Sequence, residues 1–126
     1  MSTSVLEIGL AYLEAWNRRD LKAARRLVAE DFHFKGSIDE FCSADEAFNN
    51  FERALPILLG VEVVSSISDG KEAAFFYRFK CKDPVGTIPT AEHLKFENGK
   101  IKDSRIYYDP RSFSSVMELH PVKHDI

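Results

Sequence analysis

The sequence has few cysteines and no large excess of charge of either sign, and each of these two features excludes a class of protein. Its 126 residues include two cysteines, Cys42 and Cys81. They are too few for a disulfide framework and lack the spacing of a metal site, so we expect reduced thiols and no metal. The formal net charge is −3. That charge creates no field suited to nucleic acid, so we expect no nucleic-acid partner.

Long hydrophobic runs are also lacking, and no basic region precedes an apolar segment at the N-terminus. No stretch approaches the length needed to span a bilayer, so we expect a cytoplasmic protein without a membrane partner. Hydrophobic residues make up 44% of the chain. This content and this length suit one globular domain over residues 1–126, for which we expect no cofactor.

The first part of the chain is patterned as helices. Ser4 to Glu7 has the capping-box pattern and precedes an amphipathic stretch that carries Tyr12 and Trp16 on its apolar side. Asp20 is suited to cap a second helix, and Ser43 to Glu46 repeats the capping box before a third. The apolar positions of the second helix recur at helical spacing, at Leu21, Ala24, Leu27 and Val28.

The second part is patterned as strands. Asp31 to Gly36 alternates in polarity, and from Val61 onward turn residues at 69–70, 83–86 and 98–99 divide a pattern of period two into four runs. These runs predict an antiparallel meander of four strands that ends near Tyr108. Helices followed by strands indicate an α+β fold, with the helices on one face of the sheet.

One carboxylate stands out in this pattern. Glu92 shares a strand face with Thr90 and Leu94, where a core is expected. A carboxylate there is costly unless it is paired, hydrogen-bonded or neutral, and such residues often mark a functional pocket. The alternative is a buried ion pair with Arg78 or Arg105.

The same alternation, together with the first helix, predicts which side chains line that pocket. We expect a largely apolar cavity that binds a small apolar or amphipathic molecule. Its predicted lining is Tyr12, Trp16, Phe32, Phe34, Phe79, Cys81, Thr90, Glu92, Leu94, Ser104, Ile106 and Tyr108.

The element order, the segment Ala11 to Asp20 and the segment Asn98 to Ile101 resemble the SnoaL-like branch of the nuclear transport factor 2-like superfamily. The resemblance implies a single SnoaL-like domain. In that fold, called a cystatin-like α+β roll, three N-terminal helices pack in the concave face of a curved, mainly antiparallel sheet and leave a conical pocket.

Within this superfamily the ketosteroid isomerase site is described as an aspartate base with an oxyanion hole of tyrosine and protonated aspartate. By position Tyr12 resembles the oxyanion tyrosine and Glu92 the protonated acid, which makes these two the candidate catalytic residues. The position of the base is Gly36, which has no side chain. A base would then come from the ligand, from water, or from Asp39 or Glu40.

Two functions follow from these observations. The first is a small-molecule binding protein of SnoaL-like type. If it is an enzyme, it would be an isomerase, cyclase or lyase that moves a proton next to a carbonyl. The alternative is a non-catalytic dimeric binding or interaction module. For either function we expect a homodimer through the outer sheet face, which would present Phe76, Arg78, Lys80, His93, Lys95, Arg105 and Tyr107.

Overall fold

The computed structural model describes residues 4–124. This part of the chain forms three α-helices, six strands and two 3₁₀ segments, at Glu52–Ala54 and Pro110–Ser115. The helices are α1 (Val5–Asn17), α2 (Leu21–Arg25) and α3 (Ala44–Phe51). The strands are β1 (Val28–Lys35), β2 (Glu40–Phe41), β3 (Leu58–Ser68), β4 (Glu72–Cys81), β5 (Thr87–Glu97) and β6 (Lys100–Tyr108).

The strands form one sheet in the order β2-β1-β6-β5-β4-β3. Strands β3 to β6 are the predicted antiparallel meander, and the pairing of β1 with β6 is parallel. The fold is therefore α+β with a mainly antiparallel sheet, as predicted. The β1–β6 pair connects the helical half of the chain to the meander.

Polar side chains cap all three helices at the positions that the sequence predicts. Ser4 accepts a hydrogen bond from the Glu7 amide at 3.2 Å, and Ser43 accepts one from the Glu46 amide at 3.1 Å. Asp20 caps α2 in the same way. Each cap satisfies a backbone N–H that has no partner within its own helix.

The structure differs from the sequence prediction at three places. Leu27 and Val28 lie outside α2, because the Leu27 carbonyl accepts a hydrogen bond from the Ile101 amide at 2.9 Å and Val28 pairs with β6. Strand β3 begins at Leu58 rather than at Val61. The short strand β2, which pairs with β1 through Phe41 and Glu40, was not predicted. Hydrogen-bond pairing with a neighbouring strand decides the structure at all three places, and the local sequence pattern contains no information about that pairing.

Helix α1 packs closely against the concave face of the sheet. A Cβ atom on Gly9 would lie 2.2 Å from Cζ of Phe75, a fully buried residue of β4. Trp16, near the end of α1, meets Phe51 and Phe79 with ring centroids 5.2 and 6.1 Å apart. Among residues 4–124, no helix has both the length and the apolar character needed to cross a membrane.

Candidate functional site

A cavity of about 670 Å³ lies between the concave sheet face, α1, α3 and the segment after β6. This volume is in the range of small-molecule sites. Its walls are mainly aromatic and aliphatic, and Val116 and Met117 lie partly exposed beside it. The polar side chains that line it are Tyr12, Asp39, Asn50, Arg53, Tyr77, Thr90, Glu92 and Tyr108.

Glu92 is held between hydroxyl groups of the two neighbouring strands. The Tyr77 hydroxyl in β4 donates to Oε1 at 2.8 Å, and the Ser104 hydroxyl in β6 donates to Oε2 at 2.5 Å. Both donors are diagonal neighbours of Glu92 in the sheet, because Tyr77 pairs with Thr90 and Ser104 pairs with Leu94. Only 4% of the Glu92 surface is exposed.

Burial controls the charge state of Glu92. Desolvation raises the pKa of this carboxyl, while the hydroxyl groups of Ser104 and Tyr77 lower it. The ion-pair alternative is wrong within the described chain, because both candidate cations have other partners. Arg78 pairs with Glu62 at 3.2 Å, and Nε of Arg105 lies 3.8 Å from Asp103.

Two tyrosines line the cavity with this carboxyl, Tyr12 on α1 and Tyr77 on β4. Burial raises the pKa of Tyr12 and of Tyr77 well above the ordinary value, and the nearby Glu92 raises both further. A polar contact with Trp16 partly opposes the rise at Tyr12. Both side chains therefore stay phenols, which donate hydrogen bonds rather than carry charge.

A second carboxyl enters the cavity from the loop between β1 and β2. Asp39 is half-buried, and burial raises its pKa. Its backbone carbonyl accepts a hydrogen bond from the Gly36 amide at 2.8 Å, which closes the loop tightly. Glu40 is exposed instead, and its carboxylate lies 2.7 Å from Nε2 of His33. The structure thus separates the two acids that the sequence left as alternatives.

A family model for the SnoaL-like domain matches residues 10–104. The match covers most of the chain. This protein belongs to the SnoaL-like family. No curated protein sequence matches the chain.

Solved structures similar to this SnoaL-like protein agree with that assignment. A protein from Kribbella flavida is 33% identical with a TM-score of 0.82, over 90% of this chain and 93% of that one. A hypothetical protein from Catenulispora acidiphila has a ketosteroid isomerase-like fold and was solved in complex with trimethylamine. It is 17% identical with a TM-score of 0.74, and the match covers 87% of this chain and 90% of that one. A putative polyketide cyclase from Sinorhizobium meliloti is 17% identical with a TM-score of 0.71, and the match covers 79% of this chain and 92% of that one. At 17% identity the last two show the shared fold alone.

The cavity of this SnoaL-like protein contains eight of the predicted lining residues. They are Tyr12, Trp16, Phe34, Phe79, Thr90, Glu92, Ile106 and Tyr108. Phe32, Leu94, Ser104 and Cys81 do not line it, so their predicted places are wrong. Phe32 and Leu94 are fully buried in the core, where Phe32 packs on Phe48 of α3 at 6.3 Å. Ser104 lies beneath the wall and reaches the cavity only through its hydrogen bond to Glu92.

Cys81 is the last residue of β4 and belongs to a separate cluster of buried residues. It packs with Val85 and Ile88, apart from the main core. Burial raises the pKa of the Cys81 thiol to about 11, so it stays protonated at neutral pH and is a poor nucleophile.

Sequence reasoning missed several wall residues of this SnoaL-like protein. Tyr77 is the most important of them, and its alternation with Phe75 and Phe79 was a usable signal. Leu13, Val61 and Ile88 were also missed, although they lie on α1, β3 and β5, where periodicity gives a signal. The remaining wall residues come from the short strand β2, from α3, from loops and 3₁₀ segments and from the chain after β6, where alternation gives no signal. They are Ile38, Phe41, Asn50, Phe51, Arg53, Ala54, Ile57, Phe113, Val116 and Met117. Among the described residues, no group of three or more His, Cys, Asp or Glu side chains is placed to hold a metal ion.

Proposed function

We propose that this SnoaL-like protein binds a small, mainly apolar carbonyl compound and catalyses proton transfer next to the carbonyl. The observation that carries the proposal is Glu92, a buried carboxyl on the wall of an apolar cavity, bound by two hydroxyl groups and by no described cation. Burial favours the neutral acid, which donates a hydrogen bond as well as accepting one.

Tyr12 supplies the second donor of the proposed site. It lines the same cavity as Glu92, and burial keeps its hydroxyl group protonated. Two donors in a mainly apolar cavity stabilise the negative oxygen of an enolate more strongly than they stabilise the carbonyl from which it forms. Tyr77 acts as a positioning residue, because its hydroxyl group is already bonded to Glu92.

The comparisons support the chemistry only in general terms. The putative polyketide cyclase from Sinorhizobium meliloti shares this fold at 17% identity. A shared fold permits many activities, so the proposal depends on the residues in the cavity. We propose an isomerase or cyclase type of reaction on that basis.

Two measurements with one probe, 2-decalone, test the proposal. Binding is followed through chemical-shift changes of the backbone amides around the cavity. Catalysis is followed as the loss of the α-proton signals of 2-decalone in D₂O. We expect exchange faster than in buffer, slowed in Tyr12→Phe and in Glu92→Gln by about 10²-fold or more, as for oxyanion donors in other enzymes. Wild-type exchange no faster than in buffer contradicts the proposed catalysis.

The second candidate is the dimeric binding or interaction module, and the outer sheet face favours it. Ile67 on β3 and Phe76 on β4 lie on that face with 61% and 43% of their surface exposed. We propose a homodimer that covers these side chains. Light scattering should then give twice the chain mass for wild type and a smaller mass for Phe76→Arg. A monomeric wild type at high concentration contradicts this arrangement.

A further inference from the structure

We propose that Asp39 is the general base of this site, with its carboxylate in the space that a side chain at position 36 would fill. The inference rests on the proton transfer proposed above, and it names the group that removes the proton.

The loop brings the Asp39 carboxyl to the sheet. A Cβ atom built on Gly36 would lie 2.7 Å from Oδ1 of Asp39, 3.1 Å from Cε1 of Phe34 and 3.2 Å from Cγ2 of Ile106. Phe34 and Ile106 are both wall residues of the cavity. The absence of a side chain at Gly36 therefore leaves room for the carboxyl three residues later.

The register of the sheet then relates Asp39 to Glu92. Ile106 in β6 pairs directly with Glu92 in β5, and Lys35, the residue before Gly36, pairs with the residue before Ile106. Positions 36, 106 and 92 thus form one row across three neighbouring strands. Two strand spacings separate the outer positions by about 10 Å at the backbone. A carbonyl group and its neighbouring carbon fit between side chains that reach inward from both ends of the row.

The partners of the acids distinguish Asp39 from its competitors. The cavity lining contains two carboxyls, Asp39 and Glu92. Both oxygens of Glu92 already accept hydrogen bonds, whereas the Asp39 side chain accepts none from residues 4–124. Glu40 is exposed and bound to His33, and that contact lowers its pKa.

The environment of Asp39 suits a base. Burial raises the pKa of this carboxyl, which strengthens its carboxylate as a proton acceptor while leaving it only partly desolvated. Tyr108 lines the same cavity, and burial together with the charge of Asp39 raises the pKa of its hydroxyl group. Tyr108 therefore stays protonated.

The proposed step balances without a further reactant. The Asp39 carboxylate takes a proton from the carbon next to the carbonyl. The electron pair of the broken C–H bond forms a C=C bond, and the C=O π pair moves onto oxygen, where Tyr12 and Glu92 donate hydrogen bonds. The Asp39 carboxylic acid exchanges its proton with solvent and then returns a proton, or a deuteron in D₂O, to the same carbon or to a conjugated one, which regenerates the carboxylate.

The test uses the exchange of 2-decalone in D₂O with three variants. Asp39→Asn removes the base but keeps the shape, and Glu40→Gln is the matched control from the next position. The double variant Gly36→Asp/Asp39→Ala moves the carboxyl onto position 36 and removes the side chain that a Cβ there would meet at the shortest distance. We expect kcat to fall about 10²-fold or more in Asp39→Asn with 2-decalone binding retained, as for loss of a general base.

The remaining expected results are an unchanged rate in Glu40→Gln and partial recovery in the double variant, with thermal melts confirming that each variant is folded. If wild type and folded Asp39→Asn exchange at the same rate, the assignment of Asp39 is overturned while the proposed function stands. If wild type exchanges no faster than buffer, both proposals are overturned. An equal loss of rate in Glu40→Gln also overturns the assignment, because the loop rather than the carboxyl would then matter.

Discussion

Replacement of Glu92 by glutamine tests whether this buried carboxyl is neutral. Its ordinary pKa is 4.5, and burial raises that value in the folded protein. The folded state then holds a proton that the unfolded chain releases. The contribution of Glu92 to stability is complete below the unfolded pKa and is lost as pH rises through the folded pKa. Glutamine does not titrate, so Glu92→Gln should gain stability relative to wild type as pH rises.

The size of this gain follows from the size of the shift. Each unit by which the folded pKa exceeds the unfolded one costs wild type about 1.4 kcal/mol at pH above both values. Glutamine also has a fixed cost. One oxygen of Glu92 accepts from Tyr77 and the other accepts from Ser104. In glutamine one of these oxygens becomes an NH₂ group, which cannot accept a hydrogen bond, so one of the two bonds is lost. That cost is about 0.5–1.5 kcal/mol at every pH, so the pH dependence isolates the charge.

Urea denaturation of wild type and Glu92→Gln, from about pH 3 to about pH 8, covers the pH range on both sides of the unfolded pKa and measures the difference. Glu97→Gln is the control, because Glu97 is exposed at the end of the same strand and surface changes usually alter stability by less than about 0.5 kcal/mol. The reasoning is refuted if Glu92→Gln loses stability relative to wild type as pH rises. That sign would mean a charge-stabilised carboxylate, and a neutral donor would no longer be available to the proposed reaction.

Two further predictions concern the packing that shapes the cavity. Gly9→Ala should destabilise the protein by about 1–3 kcal/mol, because the new methyl group would lie 2.2 Å from Cζ of Phe75. Thermal melts compare it with Glu14→Ala, a control on the exposed side of the same helix. Equal melting temperatures for the two variants would contradict the prediction. Asn17→Ala should cost about 1 kcal/mol, because Oδ1 of Asn17 accepts a hydrogen bond from the Val61 amide at 2.9 Å. Asn17→Asp keeps an acceptor there and should retain most of the stability in urea denaturation, so an equal loss in both would mean that the bond does not matter.

Much of the fold could be predicted because local signals and tertiary structure agree. Ser4 and Ser43 cap helices where their capping boxes predict, and the strands of the meander are bounded by the predicted turns. The signals fail at Leu27 and Val28, whose spacing is helical. There a distant partner, Ile101, supplies strand hydrogen bonds, and only the folded chain brings it near.

The candidate site was predictable to a smaller extent. Alternation places Thr90 and Glu92 on the inner sheet face, but it does not tell which part of that face a helix covers. Phe32 and Leu94 lie on the covered part and are core residues. Asp39 illustrates a different limit: it lies in a loop, where no periodicity relates sequence position to direction.

Strand β6 joins the two halves of the site, and this has a consequence during synthesis. Asp39 and α3 precede the meander in the chain, and Glu92 lies on β5, whereas β6 is the strand that pairs with both β1 and β5. Parallel pairing between segments far apart in sequence forms late, because closing the long loop between them costs conformational entropy before the new contacts stabilise it. On the ribosome, Asp39 and Glu92 therefore come to line one cavity only after residues 100–108 have emerged. Until then the inner sheet face is exposed and accessible to chaperones.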